Sequence, residues 1–361
     1  MHIAELLLIL AVFVSTVYWL ILYGRVHFYK EPLRYGEKGN LSIIIVGKNE
    51  IENITKNLPF IARTPDITEL IYVDDFSKDE TLSSLRQMEL YHPKLKVFSS
   101  PKDVPGKKIA LSKGINSATS ERVLLTDADC KPSSHDWASI MNAQFSKDTQ
   151  MVLGYGPLKK GPSFVNRFSR FETVITAIQY FAFALYKRPY MGVGRNLAFT
   201  KELFRTINGY KSHEHIPSGD DDLLVQEAVK KTSVAISIDP KSFVYSESKN
   251  TWQEYIKQKK RHIAVASSYG LFHKILLSIH PFFHLMSFAL SLYLLFTGNY
   301  LLVGSVFLIR WFILMILGYS SYKKLDGHDL IIFLPIFDLM LIPYYIYFSM
   351  TAFSNKNAQW T

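Results

Sequence analysis

Hydrophobic and polar positions divide the chain into three regions. Ile3–Tyr23 is an almost unbroken apolar run, with Glu5 near its start. Three further runs lie towards the C-terminus: Ile275–Phe296, Tyr300–Tyr319 and Leu330–Met350. Each is about 20 residues, the length a helix needs to cross the hydrocarbon core of a bilayer. Between residues 40 and 250 the pattern changes to short apolar, β-branched runs alternating with amphipathic stretches. Leu41–Val46, Leu70–Val73, Leu95–Ser99 and Arg122–Thr126 are predicted strands. Glu52–Ile61, Asp79–Tyr91 and Lys107–Ala118 are predicted helices, the second with Asp79 or Thr81 near its start as a cap. Strands alternating with helices imply an α/β domain whose mostly parallel sheet has helices on both faces. The predicted division is a transmembrane helix at 1–24, a cytosolic domain at 25–265, and a membrane domain of about three helices at 266–361.

Charge placement orients these regions. A cleaved signal peptide is the competing reading of the first run. However, few positive charges precede it and no small-residue cleavage site follows. Arg25, Lys30, Arg34 and Lys38 follow it instead, and Lys323 and Lys324 lie between the last two runs. Both sets belong on the cytosolic side by the positive-inside rule, which places the N-terminus outside and residue 25 onward in the cytosol. Arg310 and Asp338 fall in mid-span and are expected to pair across antiparallel helices, since a lone charge in hydrocarbon is costly. His280, Pro281 and His284 are expected to mark a kink or a packing feature. The alternative, four core helices of a soluble protein, suits the length and apolarity of these runs poorly.

With 41 basic and 31 acidic residues the net charge is +10, which suits a membrane surface, nucleic acid or phosphorylated ligand. Topology accounts for much of that charge, and no nucleic-acid recognition motif is evident. Cys130 is the only cysteine, so an intrachain disulfide and a cysteine metal cluster are both excluded.

In a parallel sheet, ligands bind beyond the C-terminal ends of the strands. Acids gather there: Asp74 and Asp75 after one strand, Asp127 and Asp129 after another. Residues two apart on an extended segment project to one side, so Asp127 and Asp129 can hold a hard divalent cation, Mg2+ or Mn2+, through oxygen. A pair of turn-forming aspartates is the plainer reading. Asp220, Asp221 and Asp222 form a second cluster, where crowding by like charges raises a carboxylate's pKa and suits it to act as a base. The same run can equally be an acidic helix N-terminus. Gly106 and Lys107 open a helix at which Lys107 can meet phosphate. Solvated lysines at 107 and 108 are the alternative. Ser163–Tyr186, apolar with Arg167, Arg170 and Glu172 interspersed, is either an amphipathic helix on the membrane or an ordinary core helix.

Six motifs in order carry a resemblance to the inverting glycosyltransferase family 2. They are Ile43-Ile44-Ile45-Val46-Gly47-Lys48-Asn49-Glu50, Val73-Asp74-Asp75-Phe76-Ser77, Gly106-Lys107-Lys108-Ile109-Ala110-Leu111, Thr126-Asp127-Ala128-Asp129, Ser218-Gly219-Asp220-Asp221-Asp222-Leu223, and Gln258-Lys259-Lys260-Arg261-His262. The likeness covers about residues 41–265 and implies a GT-A fold, a hexosyltransferase activity and a nucleotide-sugar donor, UDP-linked by family habit. It implies Mn2+ or Mg2+ as cofactor, with Asp129 on the metal and Asp127 nearer the nucleotide. Asp75, Glu50, Val46 and Lys48 are implied nucleotide contacts, as are Lys107, Gln258 and Arg261, the arginine meeting the diphosphate. Asp221 or Asp220 is the implied catalytic base, with Asp221 preferred. Asn196, in Met191-Gly192-Val193-Gly194-Arg195-Asn196, and His262 are implied to face the acceptor. Family members often carry Pro and Ala where this chain has Val46 and Gly47, and an aromatic where it has His262. The latter departure argues against a processive polysaccharide synthase. The implied activity is transfer to a lipid or lipid-linked glycan at a membrane, with a bacterial inner membrane as the expected location. A non-catalytic nucleotide-sugar-binding protein is the remaining alternative.

Overall fold

The computed structural model describes residues 2–32, 40–100, 106–216 and 218–352. Arg34 and Lys38 lie outside the described residues. The described residues form two compact units, one drawn from 2–29, 162–182 and 250–352, the other from 30–161 and 183–249.

In the first unit lies α1 (Ile3–Phe28). In the second, the chain runs through β1 (Leu41–Gly47), α2 (Ile51–Ala62), β2 (Glu69–Asp74), α3 (Thr81–Tyr91), β3 (Leu95–Ser99), α4 (Lys107–Ser117) and β4 (Arg122–Asp127). The predicted strands and helices of this stretch are present with shifts of one or two residues at their ends. The run continues through β5 (Cys130–Pro132), α5 (Trp137–Ala143) and β6 (Thr149–Leu153). Then come α6 (Phe164–Leu185), which begins in the first unit, β7 (Leu197–Thr200), α7 (Lys201–Thr206), α8 (Asp222–Ala228), β8 (Ser233–Ile236) and β9 (Val244–Ser246).

A seven-stranded sheet in the order β3-β2-β1-β4-β7-β6-β8 organises this unit. β3, β2, β1 and β4 are parallel, and β6 is parallel to β8. β7 is antiparallel to both its neighbours. Every residue of β1 and β2 is buried, as expected of strands covered on both faces. The core on one face joins Ile43, Ile45, Leu70 and Tyr72 to Ile54 and Leu58 of α2, Leu85 of α3 and Trp137 of α5.

Glu69 illustrates how a buried acid is made tolerable. Its carboxylate accepts from the Ser42 hydroxyl (2.8 Å), from the Thr119 N–H (2.6 Å) and hydroxyl (2.7 Å), and from Lys96. Burial alone would raise its pKa, but these donors outweigh it and hold it down at about 2. A carboxylate depressed on folding stabilises above its unfolded pKa, near 4.3, and loses that contribution as pH falls towards 2. Glu69→Gln is expected to cost about 2 kcal/mol at neutral pH and to flatten the acid side of the stability–pH curve, checked by urea unfolding from pH 2 to 7.

The first unit also holds α9 (Trp252–Ala266), α10 (Leu271–Phe296), α11 (Tyr300–Lys324) and α12 (Leu334–Ala352), the last preceded by a 3-10 turn, His328–Phe333. Among the described residues, four segments are long and apolar enough to cross a membrane: Ile3–Phe28, Leu271–Phe296, Tyr300–Lys324 and His328–Met350. Leu8 and Val12 of α1 pack on Leu294 of α10 and on Val303 and Phe307 of α11. Gly318 lets α11 approach α1, since a Cβ there would lie 2.8 Å from the Tyr23 ring. Lys324 donates to the carbonyls of Val26 (3.0 Å), His27 (2.6 Å) and Tyr29 (2.7 Å), satisfying the acceptors left at the end of α1. The basic ends of α1 and α11 therefore lie on the same side.

Arg310 and Asp338 pair as expected, Nη2 to Oδ1 at 2.8 Å. Arg310 also donates to Thr16 (3.1 Å), and Trp311 donates to the second Asp338 oxygen (2.9 Å). His280 accepts from Trp19 (3.2 Å) and stacks on His284, whose ring donates to the Asp338 carbonyl (2.9 Å). Pro281 lies inside the continuous α10.

α6 is buried along most of its length, as a core helix is. Its interspersed charges are consumed internally: Arg170 binds Asp329 with two contacts (2.7 and 2.8 Å), and Glu172 pairs with Lys259 of α9.

Candidate active site

Strand register brings the predicted acids to one edge. Val46 pairs with Val73 and Asp127, and Gly47 with Asp74. The loops that follow β1, β2 and β4 thus leave the sheet side by side. Gly47 is required there, because a Cβ would collide with the Tyr72 hydroxyl. Val46 is buried in the sheet, while Lys48 and Glu50 are half-buried in the loop beyond. Burial raises the Glu50 pKa, and Asp129, Asp127 and Asp79 add to this against the hydrogen bond from Asn53. The Asp79 carboxylate accepts from the Thr81 N–H (3.0 Å) and hydroxyl (2.6 Å) one residue ahead of the α3 N-cap, which is Glu80 and not Asp79 or Thr81.

Asp75 is fully buried. One oxygen accepts from the Ser100 hydroxyl (2.9 Å) and the Gly106 N–H (3.4 Å). The other has no partner among the described residues, and neither does Oδ1 of Asp74. Buried acceptors are seldom left unpaired, so the edge is short of donors that a ligand could bring.

Asp127 is half-buried and Asp129 exposed, and candidate ligand atoms of Asp127, Asp129 and Cys130 lie within 4.8 Å of one another. Burial holds the Cys130 thiol well above its usual pKa, with the two aspartates adding to the effect. It is therefore a neutral S–H that donates to Asp129 (3.2 Å). What remains for a cation is two carboxylates, a hard oxygen set that fits Mg2+ or Mn2+.

Lys107 joins the two acidic clusters. Its ammonium lies 3.2 Å from Asp127 and 3.0 Å from Asp220, residues almost a hundred positions apart. Burial opposes its charge, but Asp127, Asp220 and Asp221 outweigh that and raise its pKa well above the ordinary value. The neighbouring carboxylates are driven apart. For Asp220, burial is outweighed by Lys107, and its pKa falls. For Asp221, burial and the Asp220 charge outweigh Lys107 and two backbone donors, and its pKa rises. Those donors are the N–H groups of Gly194 (2.9 Å) and Asp222 (2.9 Å). The glycine-rich run therefore serves Asp221. A Cβ on Gly194 would lie 3.4 Å from Asp220 and 3.5 Å from Asp221.

Two positions depart from the sequence reading. Asn196 does not face an acceptor. It is fully buried, its oxygen accepting from Trp137 (2.9 Å) and its amide donating to the carbonyls of Tyr155 (2.9 Å) and Ser242 (2.8 Å). Asn196→Ala is expected to cost about 3 kcal/mol in thermal unfolding while leaving donor affinity of the folded protein unchanged. Lys108 is no solvated lysine. Its ammonium donates to the carbonyls of His213 (2.7 Å) and Ile216 (2.8 Å) and meets His213 Nδ1 (2.9 Å). Burial lowers its pKa to about 8, still charged at neutrality. Burial and Lys108 lower that of His213 to about 4, so the ring is neutral and presents a lone pair. Lys108 thus holds the segment leading into Asp220, a role that spacing could not reveal. Gln258, Arg261 and His262 lie on α9 in the first unit, the first two half-buried and His262 exposed.

A mixed sheet with acids from several strand ends at one edge defines an α/β domain with an acidic ligand edge. Two sequence profiles match: "Glycosyl transferase family 2" over residues 42–207 and "Glycosyl transferase family group 2" over residues 142–350, the second more than half of the chain. The chain belongs to glycosyltransferase family 2, as an enzyme of the GT-A type. Among solved structures it is similar to the mannosyltransferase PcManGT from Pyrobaculum calidifontis, in complex with GDP-Man and Mn2+. Identity is 17%, 98% of this chain and 100% of that chain are covered, and the TM-score is 0.63. At that identity the likeness is one of fold. S. aureus TarS 1-349 matches at 17% identity over 84% of this chain and 92% of its own, with TM-score 0.42. GalNAc-T7 with UDP, GalNAc and Mn2+ matches at 15% over 64% and 51%, with TM-score 0.41. A comparison with curated protein sequences returns no match.

Proposed function

We propose that the protein transfers a single sugar, with inversion, from a nucleoside-diphosphate sugar to a lipid or lipid-linked glycan at a membrane. The observation that carries this is the Lys107 bridge, which sets Asp127 and Asp220 about one ammonium. The two oxygens can be no farther apart than those two contacts allow. The donor side and the acceptor side of a displacement thereby face each other.

Asp127 and Asp129 would hold Mn2+ or Mg2+, which when bound supplies positive charge against the leaving diphosphate. Asp75 offers a buried acceptor to the base of the nucleotide, with Glu50, Val46 and Lys48 around the nucleoside. Lys107 stands where it can also meet phosphate. Asp221, the carboxylate of higher pKa, takes the proton from the attacking hydroxyl, while Asp220 stays ionised against Lys107. Gln258 and Arg261 are proposed diphosphate contacts and His262 an acceptor contact. UDP is the proposed nucleotide; the GDP-Man of the Pyrobaculum enzyme makes GDP the comparison to run alongside it. Residues 25–265 are read as the catalytic segment between anchors at 1–24 and 266–361. The basic ends of α1 and α11 support reading that segment as cytosolic under the positive-inside rule, with a bacterial inner membrane as the proposed setting.

Native membranes incubated with a panel of radiolabelled UDP- and GDP-sugars test this. Metal-dependent transfer of one residue to a lipid or glycan fraction is expected, abolished by EDTA and by Asp129→Ala. Absence of transfer from every donor, or an unaltered rate in Asp129→Ala, would sink the proposal.

A further inference from the structure

Phe76 follows the buried Asp75 at the ligand edge of the sheet. Its φ is +60°, the left-handed region that a bulky L side chain rarely adopts. Both flanks of the turn are fixed by hydrogen bonds. The Ser77 N–H donates to Asp74 (3.2 Å), the Asn49 N–H to the Ser77 hydroxyl (2.9 Å), and the Lys78 N–H to the Asn49 side chain (2.7 Å). Neighbouring contacts therefore impose the conformation, and glycine would meet it without strain. The chain instead keeps a phenylalanine, 37% exposed. Among the described residues no ring or cation is stacked on it. A strained residue kept beside a binding edge is a pointer to function.

We propose that the Phe76 ring is the platform on which the base of the donor nucleotide stacks. The inference rests on the nucleotide-sugar reading above and deepens it. A nucleobase offers a π face and a hydrogen-bonding edge. The ring next to Asp75 receives the face, and the Asp75 oxygen that has no partner among the described residues accepts from an N–H of the edge. Stacking is indifferent to base identity, because every base has a face. The division of labour follows: Phe76 supplies affinity for any base, and Asp75 adds an acceptor for an N–H on the base's edge.

The test uses the full-length protein in detergent with Mn2+, and titrates UDP, GDP and inorganic pyrophosphate calorimetrically. Wild type, Phe76→Gly and Phe76→Tyr are compared, with the thermal midpoint of each. Phe76→Gly is expected to bind UDP and GDP about tenfold more weakly and pyrophosphate as the wild type does, with an unchanged or higher midpoint. Phe76→Tyr is expected to restore nucleotide affinity. Equal affinity of wild type and Phe76→Gly for UDP and GDP would overturn the stacking role and leave the nucleotide-sugar reading intact. A lower midpoint with pyrophosphate binding also lost would make the ring a structural part of the turn, and likewise overturn it. Wild-type protein that binds neither nucleoside diphosphate would bring down both readings.

Discussion

Asp221→Asn is expected to lower turnover about a thousandfold while leaving donor affinity within a few-fold of wild type. A general base contributes on the order of 10²–10⁴ to rate, and an amide cannot take the acceptor's proton. The neighbouring groups sharpen the expectation. Asp220 is tied to Lys107, so Asp220→Asn should weaken the donor side through Lys107 and show a larger change in KM. The wild-type rate should fall as pH drops through the Asp221 pKa, since only the ionised carboxylate can accept a proton. Lys107 is the main cation opposing that pKa, so Lys107→Met should move the acid limb to higher pH. Single-turnover rates and calorimetric donor affinities separate these effects. More than a tenth of wild-type turnover in Asp221→Asn, with a thousandfold loss in Asp220→Asn, would transfer the role of base to Asp220.

The second large effect belongs to the apolar helices. Arg310→Met or Asp338→Leu alone leaves a buried charge without its counter-ion, at a cost of about 3–5 kcal/mol. Asp338 holds Arg310 and Trp311 together, so its loss strands two donors and should be the more damaging. Replacing both at once removes both charges, and is expected to recover most of that loss, short of wild type by about 1–3 kcal/mol, the cost of the stranded Trp311 N–H. Unfolding by graded denaturing detergent, analysed as a double-mutant cycle, gives the coupling directly. Single replacements without effect would show that the pair does not hold α11 to α12.

The contrast between that pair and the charges of α6 shows what could be read in advance. Arg310 and Asp338 each stand alone in an apolar run, so the cost of isolation predicts a partner. Arg170 and Glu172 stand in a mixed helix where solvation is equally natural. Their partners, Asp329 and Lys259, are remote in sequence, and nothing local announces them. β1, β2 and β4 were legible because burial on both faces demands nearly continuous apolar runs, and β3, at the sheet's edge, because Leu95 and Val97 alternate with the polar Lys96. β6, β7 and β8 are four or five residues long and pair in mixed directions, which no local period encodes. Asp75, Asp127, Asp220 and Asp221 were legible as carboxylates at strand or helix ends. The lysine joining two of those groups was visible only as a residue near a helix N-terminus. Its bonds depend on how β4 and the segment before α8 meet. Asn196, implied to face an acceptor, and Lys108, offered as a solvated lysine, both turn inward to satisfy backbone carbonyls. Those carbonyls are remote in sequence, so no local pattern announces them.

Three residues after α1 ends, the Glu31 carboxylate accepts from the Gln144 amide (2.9 Å), the Ser237 hydroxyl (2.7 Å) and the N–H groups of Ile238 (2.7 Å) and Asp239 (2.9 Å). Trimming the protein to a soluble fragment that begins at the first strand would strip four donors of their common acceptor. A fragment beginning at Lys30 keeps it. The sensible place to cut for crystallisation or assay is thus ahead of the glutamate, in the short stretch between the end of α1 and Glu31.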